Sequence, residues 1–112
     1  MTSDLSMFRI EVAADTEPAV MSVFGELDAE TASALAAAGE QVVSQGHRHV
    51  QLDCSEVTFC DSFGLRVMAE LGRRLEPDGS FVVVNASARV LRVLQVTGLA
   101  ERFGIREGDE SS

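Results

Sequence analysis

Two short segments near the start of the chain have the hydrophobic pattern of β-strands. In the first, Phe8, Ile10 and Val12 alternate with polar residues, which is the period of a strand with one buried face. The second segment, residues 20–24, is apolar almost throughout. A short turn that contains Pro18 separates the two, and such a short connection predicts an antiparallel pair.

The next segment has the period of an amphipathic helix. Asp28 is a suitable N-cap at its start, and Gly46 is a suitable glycine just after its end. A third strand is predicted from His49 to Asp53. Because a helix connects the second and third strands, we expect these two strands to run parallel through a right-handed crossover. The predicted apolar face of the helix comprises Leu35, Ala36, Gly39, Val42 and Val43.

Helix and strand continue to alternate through the rest of the chain. A second helical pattern runs from Leu65 to Leu75, and residues 81–84 form an apolar run typical of a strand buried on both faces. Asn85 or Ser87 can cap a third helix, and residues 103–105 predict a short edge strand. The order β-β-α-β-α-β-α predicts an α/β domain with a mixed central sheet and helices packed against it.

Length and composition fit one folded domain. The chain has 112 residues, of which 46% are hydrophobic, so it is too apolar for intrinsic disorder. We expect a flexible N-terminus over residues 1–6, a domain over residues 7–106 and a disordered acidic tail over residues 107–112. The chain lacks a signal-peptide pattern, and no apolar run approaches the length of a membrane helix, so we expect a cytoplasmic location.

The net charge restricts the kinds of partner. At a formal charge of −9, the protein should repel nucleic acid phosphates and anionic membranes, and it would favour a basic protein surface. All nine basic residues are arginine. The absence of lysine removes the P-loop lysine, the Schiff-base lysine and any lysine general base.

A polar pair, Asp61 and Ser62, lies where the third strand leads into the second helix. The first N–H groups of a helix have no partner within it, and an Asp or Ser side chain there accepts one of those hydrogen bonds. One interpretation of the pair is therefore a helix cap. The other is that Ser62 is a phosphorylation site, because the N–H groups and the dipole at a helix start favour negative charge.

Three short motifs occur in order along the chain: Gly-Glu-Leu-Asp at residues 25–28, Asp-Ser-Phe-Gly-Leu at residues 61–65 and Thr-Gly-Leu at residues 97–99. Together they resemble the motifs of STAS domains, the family of anti-sigma factor antagonists and of the cytoplasmic tails of sulfate transporters. The resemblance extends from about Phe8 to Ile105. The family's phosphoacceptor is the first serine of the second motif, which corresponds to Ser62. Phe63 departs from the family pattern, in which a hydroxylated residue is usual.

The resemblance implies a binding switch rather than an enzyme. The unphosphorylated protein would bind an anti-sigma factor, typically a histidine-kinase-like ATPase with serine kinase activity, and would so release a sigma factor. Phosphorylation of Ser62 by that partner would end the binding. No cofactor and no small-molecule substrate is implied, because the ATP would belong to the partner. The expected partner-binding residues are Glu26, Asp28, Asp61, Ser62, Phe63 and Gly64. The alternative function is a structural STAS subunit of a larger sensory or membrane-associated assembly.

Two cysteines flank the loop before Ser62. An oxidised bridge between Cys54 and Cys60 would close a small loop beside the switch residue, which makes redox tuning one hypothesis. The alternative is a pair of buried thiols that behave as small apolar side chains. Two cysteines in a chain of this length do not make a disulfide framework.

Catalytic and metal sites find little support in the residues. The window around Ser62 lacks the first glycine of the Gly-x-Ser-x-Gly motif of serine hydrolases. The only histidines, His47 and His49, lie at the other end of the third strand, far beyond hydrogen-bond reach of that serine. Two histidines alone do not make a structural zinc site, which needs about four ligands. We therefore predict neither a catalytic nor a metal site.

Overall fold

The computed structural model of the protein describes residues 8–99 and 104–106. The expected flexible N-terminus, residues 1–6, and the expected acidic tail, residues 107–112, lie outside the described residues. The elements in chain order are β1 (Arg9–Ala13), β2 (Ala19–Leu27), α1 (Ala29–Ser44), β3 (His49–Cys60), α2 (Ser62–Leu75), β4 (Ser80–Val84), α3 (Ala88–Val96) and β5 (Gly104–Arg106).

The strands form one mixed sheet in the order β1-β2-β3-β4-β5. β1 pairs antiparallel with β2, and the three remaining pairs are parallel. A helix connects the two strands of each parallel pair, and successive strands are added in one direction. Right-handed crossovers therefore place α1, α2 and α3 over the same face of the sheet. The predicted α/β architecture with a mixed sheet is confirmed.

The core lies between that face and the helices. Alternate residues of the central strands are buried in it, and both Val90 and Leu94 of α3 are fully buried there. α1 and α2 approach each other closely at Gly39, where an added Cβ would collide with the side chain of Leu71. Arg74 of α2 also donates two hydrogen bonds, of 2.7 and 2.9 Å, to the Glu40 carboxylate of α1. These contacts hold the second half of α2 against α1.

β3 is longer than the sequence pattern predicts. It continues through Cys60 rather than ending at Asp53, because the equally extended β2 supplies hydrogen-bond partners as far as the pair Leu27 and Cys60. The register between the two strands shifts twice, between Ser22 and Phe24 and again near Glu26. Such irregularities break the two-residue hydrophobic period, so the pattern in the sequence ends before the strand does.

The second face of the sheet is less covered than the sequence pattern predicts. Val82 in β4 is half-buried, so this strand is not buried on both faces. The exposed fraction of Val12 in the edge strand β1 is 43%, although the alternating pattern predicts a buried side chain there. The helices cover one face of the sheet, which leaves Val82 only half-buried on the other. Val12 is the register partner of the buried Met21 and so lies on the covered face, but it belongs to the edge strand β1, which has a strand neighbour on one side only.

Candidate functional site

The turns that follow β2 and β3 meet at one edge of the sheet. The last residues of the two parallel strands, Leu27 and Cys60, are register partners. The N–H of Asp61 donates a 3.0 Å hydrogen bond to the carbonyl of Leu27, which joins the two turns directly. α1 begins two residues after Leu27, and α2 begins at Ser62. The structure thus brings the motif at residues 25–28 next to the motif at residues 61–65.

The first turn is held by a reciprocal helix cap. The Asp28 carboxylate accepts hydrogen bonds from the N–H groups of Glu30 and Thr31, at 3.0 and 3.1 Å. The Thr31 hydroxyl accepts from the N–H of Asp28 at 2.9 Å and donates to the carbonyl of Glu26 at 2.7 Å. The hydrogen bond from the Thr31 N–H is the main reason why the pKa of Asp28 lies below its usual range. The predicted N-cap is confirmed, and the exposed Glu26 stands on a fixed turn.

Asp61, and not Ser62, caps the second helix. One carboxylate oxygen of Asp61 accepts hydrogen bonds from the N–H groups of Phe63 and Gly64, at 2.9 and 3.3 Å. Ser62 is the first residue of α2, its side chain is exposed, and the structure records no hydrogen bond from its hydroxyl to any described residue. The serine hydroxyl is therefore presented to solvent and does not stabilise the helix.

Gly64 allows α2 to begin close against the ends of both strands. A Cβ at this position would lie 3.0 Å from the Cys60 Sγ and 3.0 Å from the Leu27 Cβ. Such distances are tighter than most side-chain contacts in a packed interior, so a side chain here would have to displace Cys60 and Leu27. Gly64 is itself buried, so what it contributes here is the placement of the first turn of α2. A direct partner contact at Gly64 stays a prediction.

Two phenylalanine side chains close to Ser62 in the sequence are exposed at the surface. Phe59 is 41% exposed and Phe63 is 49% exposed, and they are two of only four large apolar side chains exposed among the residues that the structure describes. Phe59 is the register partner of Glu26. The hydrophobic pattern of the sequence does not indicate Phe59, because residues 58 and 59 at the irregular end of β3 are both exposed, which disrupts the alternation of buried and exposed positions. We call Phe59 and Phe63 the aromatic pair.

Cys54 and Cys60 are free thiols in this structure, and both are buried. Burial, with smaller contributions from the other thiol and Asp53, raises the pKa of Cys54 from the ordinary 9.0 to about 12. Burial, with a smaller effect of Asp61, raises the pKa of Cys60 to about 11. Since the thiolate is the reactive form, both thiols are poor nucleophiles near neutral pH. These features favour the alternative of two buried apolar-like cysteines, and redox tuning stays a prediction.

The histidines lie far from the serine. His49 begins β3 and Ser62 follows its end, and a strand of 12 residues spans roughly 36 Å. The Nδ1 of His49 lies 2.8 Å from the Ser80 Oγ, and His47 lies 4.0 Å from the Glu17 carboxylate. Over residues 8–99 and 104–106, no group of three or more His, Cys, Asp or Glu side chains is arranged to hold a metal ion. The structure thus brings no base to Ser62 from these histidines.

Comparison with known proteins identifies the family. A family model described as "Mlab, STAS domain" matches residues 10–107, nearly the whole chain. The chain belongs to the STAS domain family. This STAS domain is 32% identical to the anti-sigma-F factor antagonist RsfB of Mycobacterium tuberculosis over 94 residues, which cover 84% of this chain and 77% of that protein. It is 28% identical to an anti-sigma-B factor antagonist of Staphylococcus aureus over 91 residues, which cover 80% of this chain and 84% of that protein.

A solved structure supports the same fold for this STAS domain. The crystal structure of an anti-sigma factor antagonist from Mycobacterium paratuberculosis superimposes with a TM-score of 0.81 at 32% identity. The match covers 88% of this chain and 85% of that protein. The resemblance that the three sequence motifs indicated is therefore confirmed. In the part of the chain that the structure describes, none of the helices is long and apolar enough to cross a membrane.

Proposed function

We propose that this STAS domain is an anti-sigma factor antagonist that binds an anti-sigma factor and so releases a sigma factor for transcription. Its relatives from Mycobacterium tuberculosis and Staphylococcus aureus carry that name, and both matches cover most of this chain and of the relatives. Sigma factors act on RNA polymerase, so the protein works in the cytoplasm. It acts by binding, and any ATP in the system belongs to its partner.

The observation that supports a phosphorylation switch is the free hydroxyl of Ser62. It lies on the first turn of α2, exposed, while the neighbouring Asp61 occupies the cap. A kinase can therefore reach the hydroxyl, and its modification breaks no hydrogen bond that holds the described fold. A phosphate adds about −1.5 to −2 charges at neutral pH. The partner is a serine kinase of the histidine-kinase-like ATPase type, which phosphorylates Ser62 and is thereby released.

The surface around Ser62 supports the kind of partner. The aromatic pair, Phe59 and Phe63, supplies exposed apolar area, and aromatic side chains are common anchors of protein interfaces. Glu26 stands next to Phe59 in the register of the sheet, and Asp28 lies on the same turn as Glu26. Exposed apolar side chains beside acidic ones fit a partner surface that has an apolar pocket bordered by arginine or lysine.

Two substitutions at Ser62 test the proposal. Ser62→Asp places a charge where the interface accepts a neutral hydroxyl, and an unpaired charge in an interface costs about 2–5 kcal/mol, or roughly thirty-fold to several thousand-fold in affinity. Ser62→Ala should bind like the parent and resist phosphorylation. Ser44→Asp adds the same charge on an exposed residue at the far end of α1 and is the control, which should bind normally.

The measurements are calorimetric titration against the host's anti-sigma factor and mass spectrometry after incubation with that protein and ATP. Parent-like affinity of Ser62→Asp, or full phosphorylation of Ser62→Ala, would contradict the switch. Association with a large scaffold or transporter assembly, without an ATPase-like kinase, would instead support the alternative of a structural STAS subunit.

A further inference from the structure

The surroundings of Ser62 are unfavourable for a phosphate. The charged side chains of the β2–α1 turn and of the start of α1 are all acidic, namely Glu26, Asp28 and Glu30, and Asp61 precedes the serine directly. The two turns are joined by the hydrogen bond from the Asp61 N–H to the Leu27 carbonyl, so these carboxylates share one edge of the sheet. A phosphate with about two negative charges on Ser62 would be repelled by like charges there.

The start of α2 supplies less compensation than a free helix end would. Exposed N–H groups at a helix start attract anions. Here the N–H groups of Phe63 and Gly64 already donate to the Asp61 carboxylate, at 2.9 and 3.3 Å. Gly64 is also buried against Leu27 and Cys60, which limits access to its N–H. A phosphate on Ser62 therefore needs a cationic side chain.

Arg66 is placed to be that side chain. It follows Ser62 by four residues on α2, and residues at this spacing are neighbours on a helix surface. Its side chain is exposed, and the structure records no ion pair between Arg66 and any described residue. Glu70 also lies four residues away, but an acid on the C-terminal side of a base is the weaker of the two orientations. Arg74, by contrast, is already bound to Glu40.

We propose that Arg66 binds the phosphate of phosphorylated Ser62 within the same chain. The inference rests on the proposed phosphorylation of Ser62 and deepens it. The guanidinium group holds the phosphate against the first two turns of α2 and neutralises part of its charge. Arg66 is thus a positioning residue of the phosphorylated state. It makes that state compatible with an edge that is otherwise acidic.

Phosphorus NMR on the full-length chain tests the pair without a kinase. Phosphoserine is incorporated at position 62 during translation, and the second pKa of the phosphate is measured by titration in the parent, in Arg66→Gln and in Arg73→Gln. A nearby cation favours the dianion, so Arg66→Gln should raise this pKa by about 0.3 unit, from the typical strength of a helical i,i+4 ion pair. Arg73 is an exposed arginine three turns away on the same helix, and its variant should titrate like the parent.

Two further measurements make the result specific. Arg66→Lys keeps the charge and should retain most of the pKa difference from Arg66→Gln. In 1 M salt, where the screening length falls to about 3 Å, the difference between the parent and Arg66→Gln should shrink. Circular dichroism verifies that each variant is folded, as expected for exposed positions.

Equal phosphate pKa values in the parent and Arg66→Gln would overturn the pairing, whatever a kinase does to Ser62. Failure of the host's kinase to phosphorylate Ser62 would instead overturn the proposed function and leave the NMR result intact. The two proposals therefore fail through different experiments.

Discussion

Replacing Asp61 with alanine separates the cap of α2 from its phosphorylation site. The Asp61 carboxylate accepts hydrogen bonds from the N–H groups of Phe63 and Gly64, whereas the Ser62 hydroxyl accepts none from the described residues. Loss of an aspartate N-cap costs about 0.5–2 kcal/mol, typically near 1. Asp61→Ala should therefore destabilise the fold by about 1 kcal/mol. Ser62→Ala, at the adjacent exposed position, should change the stability by less than about 0.5 kcal/mol.

Urea denaturation followed by circular dichroism measures both changes in the free energy of unfolding. For a domain of this size, a loss of 1 kcal/mol lowers the melting temperature by about 4–8 °C, which thermal unfolding detects easily. Asp61→Asn keeps a cap-forming side chain and should restore most of the loss. Equal stability of Asp61→Ala and Ser62→Ala, or the larger loss in Ser62→Ala, would refute the assignment of the cap to Asp61.

The other predictions concern packing, recognition and pH. Gly64→Ala should lower the free energy of unfolding by about 1–3 kcal/mol in urea denaturation, since the new methyl group would have to displace Cys60 and Leu27; wild-type stability would contradict the tight packing. Phe63→Ser should keep its stability and lose at least about tenfold in affinity by calorimetric titration, whereas Val96→Ser, an exposed control on α3, should bind normally. In the folded state the pKa is raised to about 12 for Cys54 and to about 11 for Cys60. Above pH 9.0 the thiols of the unfolded state lose their protons while those of the folded state remain protonated, so the free energy of unfolding should fall as the pH rises. Because the chain contains no tyrosine or lysine, urea denaturation between pH 8 and 11 reports mainly these thiols, and a flat profile would contradict their burial.

The sequence by itself determined the order of elements and most of their ends. Asp28 and Ser87 cap helices as their residue types predict, and Gly46 follows the end of α1 with a positive φ of 100°. These features depend on interactions within a few residues, so the local sequence is enough to predict them. The motif at residues 61–65 likewise indicated a surface serine at a strand-to-helix junction, and the family comparison confirmed the resemblance on which its proposed role rests.

Only the tertiary structure decided how the site is assembled. The extension of β3 to Cys60 requires β2 as a hydrogen-bond partner, and the tight space at Gly64 comes partly from Leu27, which is distant in the sequence. The exposure of Phe59 follows from the register shifts between the same two strands, which no periodic pattern reveals. The choice of Asp61 rather than Ser62 as the cap depends on where the helix starts, and the packing of Gly64 against the strand ends fixes that start. The conformational preferences of neighbouring residues specify the helices and strands. The contacts between β2, β3 and α2 determine that the hydroxyl of Ser62 has no partner among the described residues.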